Sequence, residues 1–209
     1  MPRGLGHQGS MTIDVLSALA LFALITSITP GPNNLMLMAS GANFGFARTV
    51  PHMMGITLGF MVMLLLVGFG LIRVFDAFPV IYSVLKILSL IYLIYLAYKI
   101  ATAAPVQSAD PNAKPLNFLQ AAGFQWVNPK AWAFGLSIIT IYVPSAGILP
   151  LVITALVVAV MALPSVTLWT LLGGQMARFL TNPRRFRVFN VTMAALLVAS
   201  LLPALWPAS

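Results

Sequence analysis

Long stretches without a charged residue set the first limit on what this chain can fold into. Between Asp14 and Arg48 lie 33 residues free of Asp, Glu, Lys and Arg. Between Lys130 and Arg178 lie 47, and the 22 residues after Arg187 carry none. A bilayer's hydrocarbon layer is about 30 Å thick and is crossed by roughly 20 apolar helical residues. The 47-residue stretch therefore reads as two crossings joined by a turn at Pro144-Ser145-Ala146-Gly147. With 60% of residues hydrophobic and 7% charged, against about 25% charged in soluble domains, a water-soluble core is excluded.

The net charge of +8 is not a nucleic-acid signal. The basic residues stand at the ends of apolar spans, where they orient helices in a membrane, instead of clustering on one face. There is no cysteine, which removes disulfides, thiolate metal sites and thiol nucleophiles together. The first apolar stretch continues past helix breakers without a small-residue cleavage site, unlike a signal peptide. Residues 1–10, polar and glycine-rich, read as a tag or a disordered N-terminus ahead of a natural start at Met11.

The expected fold class is an all-α integral membrane protein with six transmembrane helices. The spans run over about Ile13–Ser40, Thr49–Ile72, Phe78–Lys99, Phe118–Tyr142, Ile148–Gly174 and Val188–Trp206. A polar linker, residues 101–117, divides a first three-helix repeat (11–100) from a second (118–209). Three is an odd number, so the repeats would be inverted in the membrane. The first helix of each is broken at a proline, Pro30 and Pro129. Paired breaks at corresponding positions of two halves point to a transporter's binding site. Orientation follows from Lys and Arg in short loops. Arg48, Lys99, Lys114, Lys130, Arg178, Arg184, Arg185 and Arg187 fall on one side, and Arg3, Arg73 and Lys86 on the other. Eight against three puts both termini on the periplasmic side.

The chemistry concentrates at the two breaks. In Thr29-Pro30-Gly31-Pro32-Asn33-Asn34 two prolines remove backbone donors and Gly31 adds conformational freedom. Broken backbone at membrane depth is tolerated only where protein buries it or water reaches it. Pro32 suits the first turn of a new helix. Such a break leaves carbonyls free on one side and N–H groups on the other, which a zwitterionic amino acid can use at both its ends. The bland reading is a proline kink. Gln125-Trp126-Val127-Asn128-Pro129-Lys130 is the counterpart, with Asn128 as N-cap and Pro129 at the first helical position. Lys130 then sits in a helix's first turn, where the macrodipole disfavours a cation. Either a substrate carboxylate pairs with it or it anchors the chain at the inner surface beside lipid headgroups.

Gly41 and Gly45, then Gly55 and Gly59, form two small-xxx-small pairs expected to pack the second span against the broken first. Tyr92, Tyr95 and Tyr98 make a helical stripe that reads as packing or an interfacial belt. Proton-driven carriers hold a titratable group in the membrane. His52 and Asp14 are the candidates for proton coupling, each with an ordinary interfacial or helix-start role as its alternative.

Thr29 to Asn34, followed by Gly41, Gly45-Phe46-Ala47-Arg48 and Gly55-Ile56-Thr57-Leu58-Gly59, resembles the signature of the lysine/homoserine/threonine exporter family, LysE/RhtB. Gly123-Phe124 with Asn128-Pro129-Lys130 is similar to its second motif, and Leu85-Lys86 with Tyr92-Leu93 to its third-span pattern. The resemblance runs from Met11 over nearly the whole chain and looks nearest to the cysteine/O-acetylserine exporters. It departs at Ser89 and Ala97, where members often have glycine, and at Ala162-Leu163-Pro164-Ser165, where some carry an acidic residue. The resemblance implies a secondary exporter of amino acids or derivatives in the bacterial inner membrane, driven by proton antiport. The expected partners are an amino acid substrate, protons and membrane lipids, with a homo-oligomer left open and no nucleic acid or cofactor. An ion or small-solute channel, or an exporter of another metabolite class, is the alternative. A membrane enzyme would need converging catalytic groups, which two His, no Glu and three dispersed Asp do not supply.

Overall fold

The computed structural model describes residues 11–71, 77–78, 80–103, 114–143 and 147–199, and every described element is helical. Residues 1–10, Arg73, Asp76, Asp110, most of the polar linker, the turn at 144–146 and the end of the sixth expected span lie outside the described residues. The helices are α1 (Ile13–Ile28), α2 (Pro32–Phe44), α3 (Phe46–Leu66) and α4 (Val80–Ala101), then α5 (Phe118–Phe124), α6 (Pro129–Tyr142), α7 (Ile148–Phe179) and α8 (Pro183–Ala199). A π turn at Val67–Leu71 extends α3, and a 3-10 turn at Gln125–Val127 follows α5.

Helix ends fall where local chemistry supplies caps. The Thr12 hydroxyl accepts from Val15 N–H at 3.4 Å to start α1. Asn117 and Gln120 form a reciprocal capping box at the start of α5, at 2.9 and 3.1 Å. Asn128 Oδ1 accepts from Lys130 N–H at 3.1 Å, and Pro129 opens α6. Pro32 opens α2 in the same way.

Three helical segments are long and apolar enough to cross a membrane: Phe46–Gly70, Ser83–Ala101 and Ile148–Phe179. The pair α1 and α2, bent by 58° at its break, is a fourth if the two are taken as one broken span. The protein is thus a multi-pass membrane protein. At 1.5 Å per residue the 32 residues of α7 span about 48 Å, more than the hydrocarbon thickness, so this helix is tilted or projects beyond it. Val84, Ile87, Leu88, Ile91 and Ile94 on α4 are exposed, as side chains facing lipid are.

The short half-helix α2 is the buried centre. Ten of its thirteen residues are buried, and it packs against α7, α3 and α8. Its crossing with α7 is backbone on backbone. A Cβ at Gly41 would overlap the Thr170 carbonyl, and one at Gly173 would overlap the Met38 carbonyl. Gly55 and Gly59 serve in the same way but against another partner: they receive Phe118, Ala121 and Ala122 of α5. The expectation that these glycines pack the second span on the first is corrected accordingly, because α5 and α7 occupy those faces. Gly45 does not pack at all. Nothing lies within 4 Å of its Cβ position, and its φ of 79° makes it the turn between α2 and α3. Tyr92 of the tyrosine stripe packs on Phe124 at 5.7 Å between centroids, while Tyr95 and Tyr98 are exposed.

The crossing gives a stability test. Gly41→Val drives a side chain into α7 backbone, and overpacking of this kind costs at least about 1–3 kcal/mol. Thermal unfolding in detergent should show a fall in Tm of several degrees. Gly123→Ala, with open space around it, should leave Tm unchanged or raise it by about 2–4 °C.

Candidate functional site

The two breaks meet. α1 ends at Thr29, whose ψ of 140° leaves the helical region, and Gly31 is fully extended before Pro32. Stopping a helix here frees the carbonyls of its last turn. Each is answered by a side chain. The Ser27 carbonyl accepts from Asn34 Nδ2 and from Ser165 Oγ, both at 2.7 Å. The Ile28 carbonyl accepts from Trp169 Nε1 at 3.1 Å. The Thr29 carbonyl accepts from Asn34 Nδ2 at 2.8 Å and from Lys130 Nζ at 2.6 Å. Lys130 also donates to Thr29 Oγ1 at 2.8 Å and to the Pro30 carbonyl at 3.4 Å.

Lys130 therefore spans the gap between the halves and sets its ammonium on the negative end of α1. The macrodipole favours a cation at a helix C-terminus, which offsets the unfavourable position of Lys130 at the start of α6. Its stem passes over Gly31, where a Cβ would stand 2.6 Å from Lys130 Cδ. Glycine at position 31 is what lets the lysine through. A second bridge is an amide pair: Asn33 Nδ2 donates to Gln125 Oε1 at 2.9 Å, and Gln125 Nε2 donates to Asn33 Oδ1 at 3.3 Å. Gln125 is fully buried in the 3-10 turn and also donates to the Ala121 carbonyl at 2.8 Å.

Around these bridges lies a cavity of about 60 Å3, several times the roughly 10–15 Å3 that one water needs. Of the residues expected from sequence, Gly31, Asn33, Asn34, Gln125, Asn128 and Lys130 line it. Thr29 and Pro30 stand behind it as acceptors for Lys130, and Pro32 and Pro129 act by opening helices. Trp126 points elsewhere: its carbonyl accepts from Trp132 Nε1 at 2.8 Å, and the two indoles meet edge-on at 6.1 Å. No acidic side chain lines the cavity.

Two expectations change. Lys130, read either as the partner of a substrate carboxylate or as an inner-surface anchor, is turned into the cavity, against the second of these. The carbonyls near Thr29, expected to be free for a substrate's ammonium, already have donors from within the protein. The sequence reading missed Thr26 and Ser27 at the end of α1, Thr57 and Phe60 on α3, Phe134 on α6, and Ser165 on α7. Phe60 and Phe134 stack at 5.1 Å and wall one side. Thr57 is buried, and its hydroxyl has no hydrogen-bond partner among the described residues, an unpaired polar atom that calls for an explanation. Its place in the run between Gly55 and Gly59 was the available signal. His52 is buried elsewhere, and Asp14 is exposed in the first turn of α1; neither lines this cavity.

The Asn33–Gln125 pair couples α2 to the 3-10 turn after α5. In a double-mutant cycle with Asn33→Ala and Gln125→Ala, unfolding should show a coupling of about 1 kcal/mol.

Residues 24–202 match the family model described as LysE type translocator. The chain is 34% identical over 195 residues to a cysteine/O-acetylserine efflux protein of Salmonella choleraesuis, and equally to one of Salmonella typhimurium. In both cases 90% of this chain and 96% of the relative are covered. It is 32% identical over 194 residues to the cysteine/O-acetylserine efflux protein of Escherichia coli K12, with the same coverage. No solved structure matches.

Proposed function

The chain belongs to the family of LysE type translocators, and from that premise we propose that it is a secondary exporter of small neutral amino acids or their derivatives. The observation that carries this reading is the cavity at the meeting of two helix breaks, which holds one ammonium and no acidic side chain. A charge so placed needs a counter-ion. A zwitterion brings one in its carboxylate without adding net charge.

In this reading the substrate carboxylate approaches Lys130 and the Asn33 and Asn34 N–H groups that open α2, since those of α6 already donate to Asn128. Its ammonium is received by the amide oxygens of Asn33, Gln125 and Asn128 and by the free hydroxyl of Thr57, since the carbonyls of α1 are taken. Phe60 and Phe134 bound the room left for a side chain and favour a small one. O-acetylserine and cysteine, named for the relatives, have the right size and charge.

Six spans as two inverted three-helix repeats complete the proposal: the broken pair α1–α2 with α3 and α4, then α5–α6 with α7 and α8. Reciprocal packing supports it, because α1 lies against α7 as α5 lies against α3, and α4 meets α8. Alternating access would rock one repeat against the other, breaking and remaking the Lys130 and Asn33–Gln125 bridges. Proton antiport in a bacterial inner membrane, with both termini periplasmic, is the coupling we assign. His52 is the intramembrane titratable group available for it, and Asp14, out on a helix end, is the lesser candidate.

Efflux from preloaded proteoliposomes tests the reading. Lys130→Met, Asn33→Ala and Asn128→Ala should each lower O-acetylserine efflux, Lys130→Met by about tenfold to hundredfold, as expected for losing a charged hydrogen bond. Lysine should be a poor substrate for the native protein. Counterflow should be concentrative and respond to a proton gradient. Undiminished efflux in all three variants would remove the site assignment, and absence of counterflow would make the protein a channel.

A further inference from the structure

At the far end of α2, about 18 Å along its axis from Pro32, lies a second cavity of about 100 Å3. It is enclosed by the C-terminal half of α2, the start of α3, the end of α4 and the residues leading into α5. Its polar lining is Ser40, Asn43, His52, Lys99 and Lys114. Two of these are satisfied among themselves or their neighbours. Ser40 Oγ and Thr49 Oγ1 are 2.9 Å apart, and Asn43 donates to the Ala39 carbonyl at 2.6 Å and to Asn190 Oδ1 at 3.1 Å.

His52 is not, while Lys99 and Lys114 are exposed at the cavity's edge. His52 is 1% exposed, and neither ring nitrogen has a hydrogen-bond partner among the described residues. A neutral imidazole always carries one N–H donor and one lone pair, so leaving both unpaired in a buried site has a free-energy cost that a ligand could relieve. Lys99 Nζ lies 5.6 Å from the centroid of the Tyr95 ring. Asp14, at the far end of α1, is the only acidic side chain among the described residues, so neither lysine has a carboxylate partner there. One buried donor in a cavity lined also by two exposed lysines is the chemistry that receives an anionic oxygen group.

We propose that this cavity is a second binding site, separate from the one at the helix breaks, for a carboxylate or phosphate held by the His52 imidazole and the Lys99 and Lys114 ammoniums. A free solute's carboxylate and an anionic lipid's phosphate present the same oxygens to it. Apolar side chains of the lining, Met36, Leu96, Ile100 and Leu116 among them, accept the apolar remainder of either. The proposal concerns binding and stands whether or not the protein exports amino acids.

The chain has two histidines, so His7→Gln leaves His52 as the one imidazole. Ring 15N NMR of that variant, labelled at histidine in nanodiscs of neutral phosphatidylcholine, should show His52 signals moving saturably on titration with acetate or O-acetylserine. That result assigns a free carboxylate. Movement only when phosphatidylglycerol is added to the nanodisc assigns a lipid phosphate. In either case Lys99→Gln with Lys114→Gln should raise the apparent Kd at least tenfold, with gel filtration and Tm confirming the fold. Asn33→Ala in the first cavity should leave the response in place. No movement with any probe overturns the proposal and leaves a water-filled cavity. A response indifferent to both lysines, or abolished by Asn33→Ala, overturns it too.

Discussion

The structure depends on how a membrane protein can stop a helix in mid-span. Water would normally satisfy the last carbonyls of α1, but at membrane depth the protein must supply the donors itself. Asn34, Ser165, Trp169 and Lys130 come from α2, α7 and α6 to do so. Each of those helices is therefore fixed in position by one short run of backbone, Ser27 to Pro30. The break organises the packing around it.

That requirement explains why α2 and α7 approach so closely. The indole of Trp169 and the hydroxyl of Ser165 reach the end of α1 only if α7 runs hard against α2, and Gly41 with Gly173 removes the side chains that would hold the two apart. Small residues at a membrane helix crossing permit van der Waals contact and hydrogen bonding where no hydrophobic drive exists between helices. Here the crossing also aims polar groups at a target one turn or more away.

Some of this was legible in the residues. Membrane character, the break at Pro30 and the second start at Pro129 follow from charge-free length, proline chemistry and an Asn-Pro cap, all of them local properties. The destination of Lys130 was not local. Its position in α6 marks it as unfavourable, but only the fold brings the end of α1 to its side chain. The glycine pairs announced close contact but the first span was the wrong partner to read from them, because a missing Cβ records that something comes near and not what. Gly45 had the spacing of a packing residue and the work of a turn. Helix α2 is hidden from hydropathy for a further reason: thirteen residues are too short to cross a bilayer, and its asparagines and serine, all but the half-buried Asn33 fully buried, each face a partner in the protein.

The two ends of the first break differ in what they have left to offer. On the carbonyl side every oxygen from Ser27 to Pro30 is engaged, and the strongest donor is a full positive charge. Partial charges on carbonyls stabilise an ammonium but do not neutralise it, so the cavity stays electropositive in a medium of low dielectric. On the amide side the reciprocal Asn33–Gln125 pair is neutral and can exchange partners at little electrostatic cost. The proposed zwitterionic substrate would thus have its carboxylate drawn to the fixed charge and its ammonium met by groups that merely trade one hydrogen bond for another. A second cation would meet an unscreened ammonium with no acid to share. Under the proposed export of neutral amino acids, selection by charge then follows from a single lysine and from the glycine that makes room for its stem.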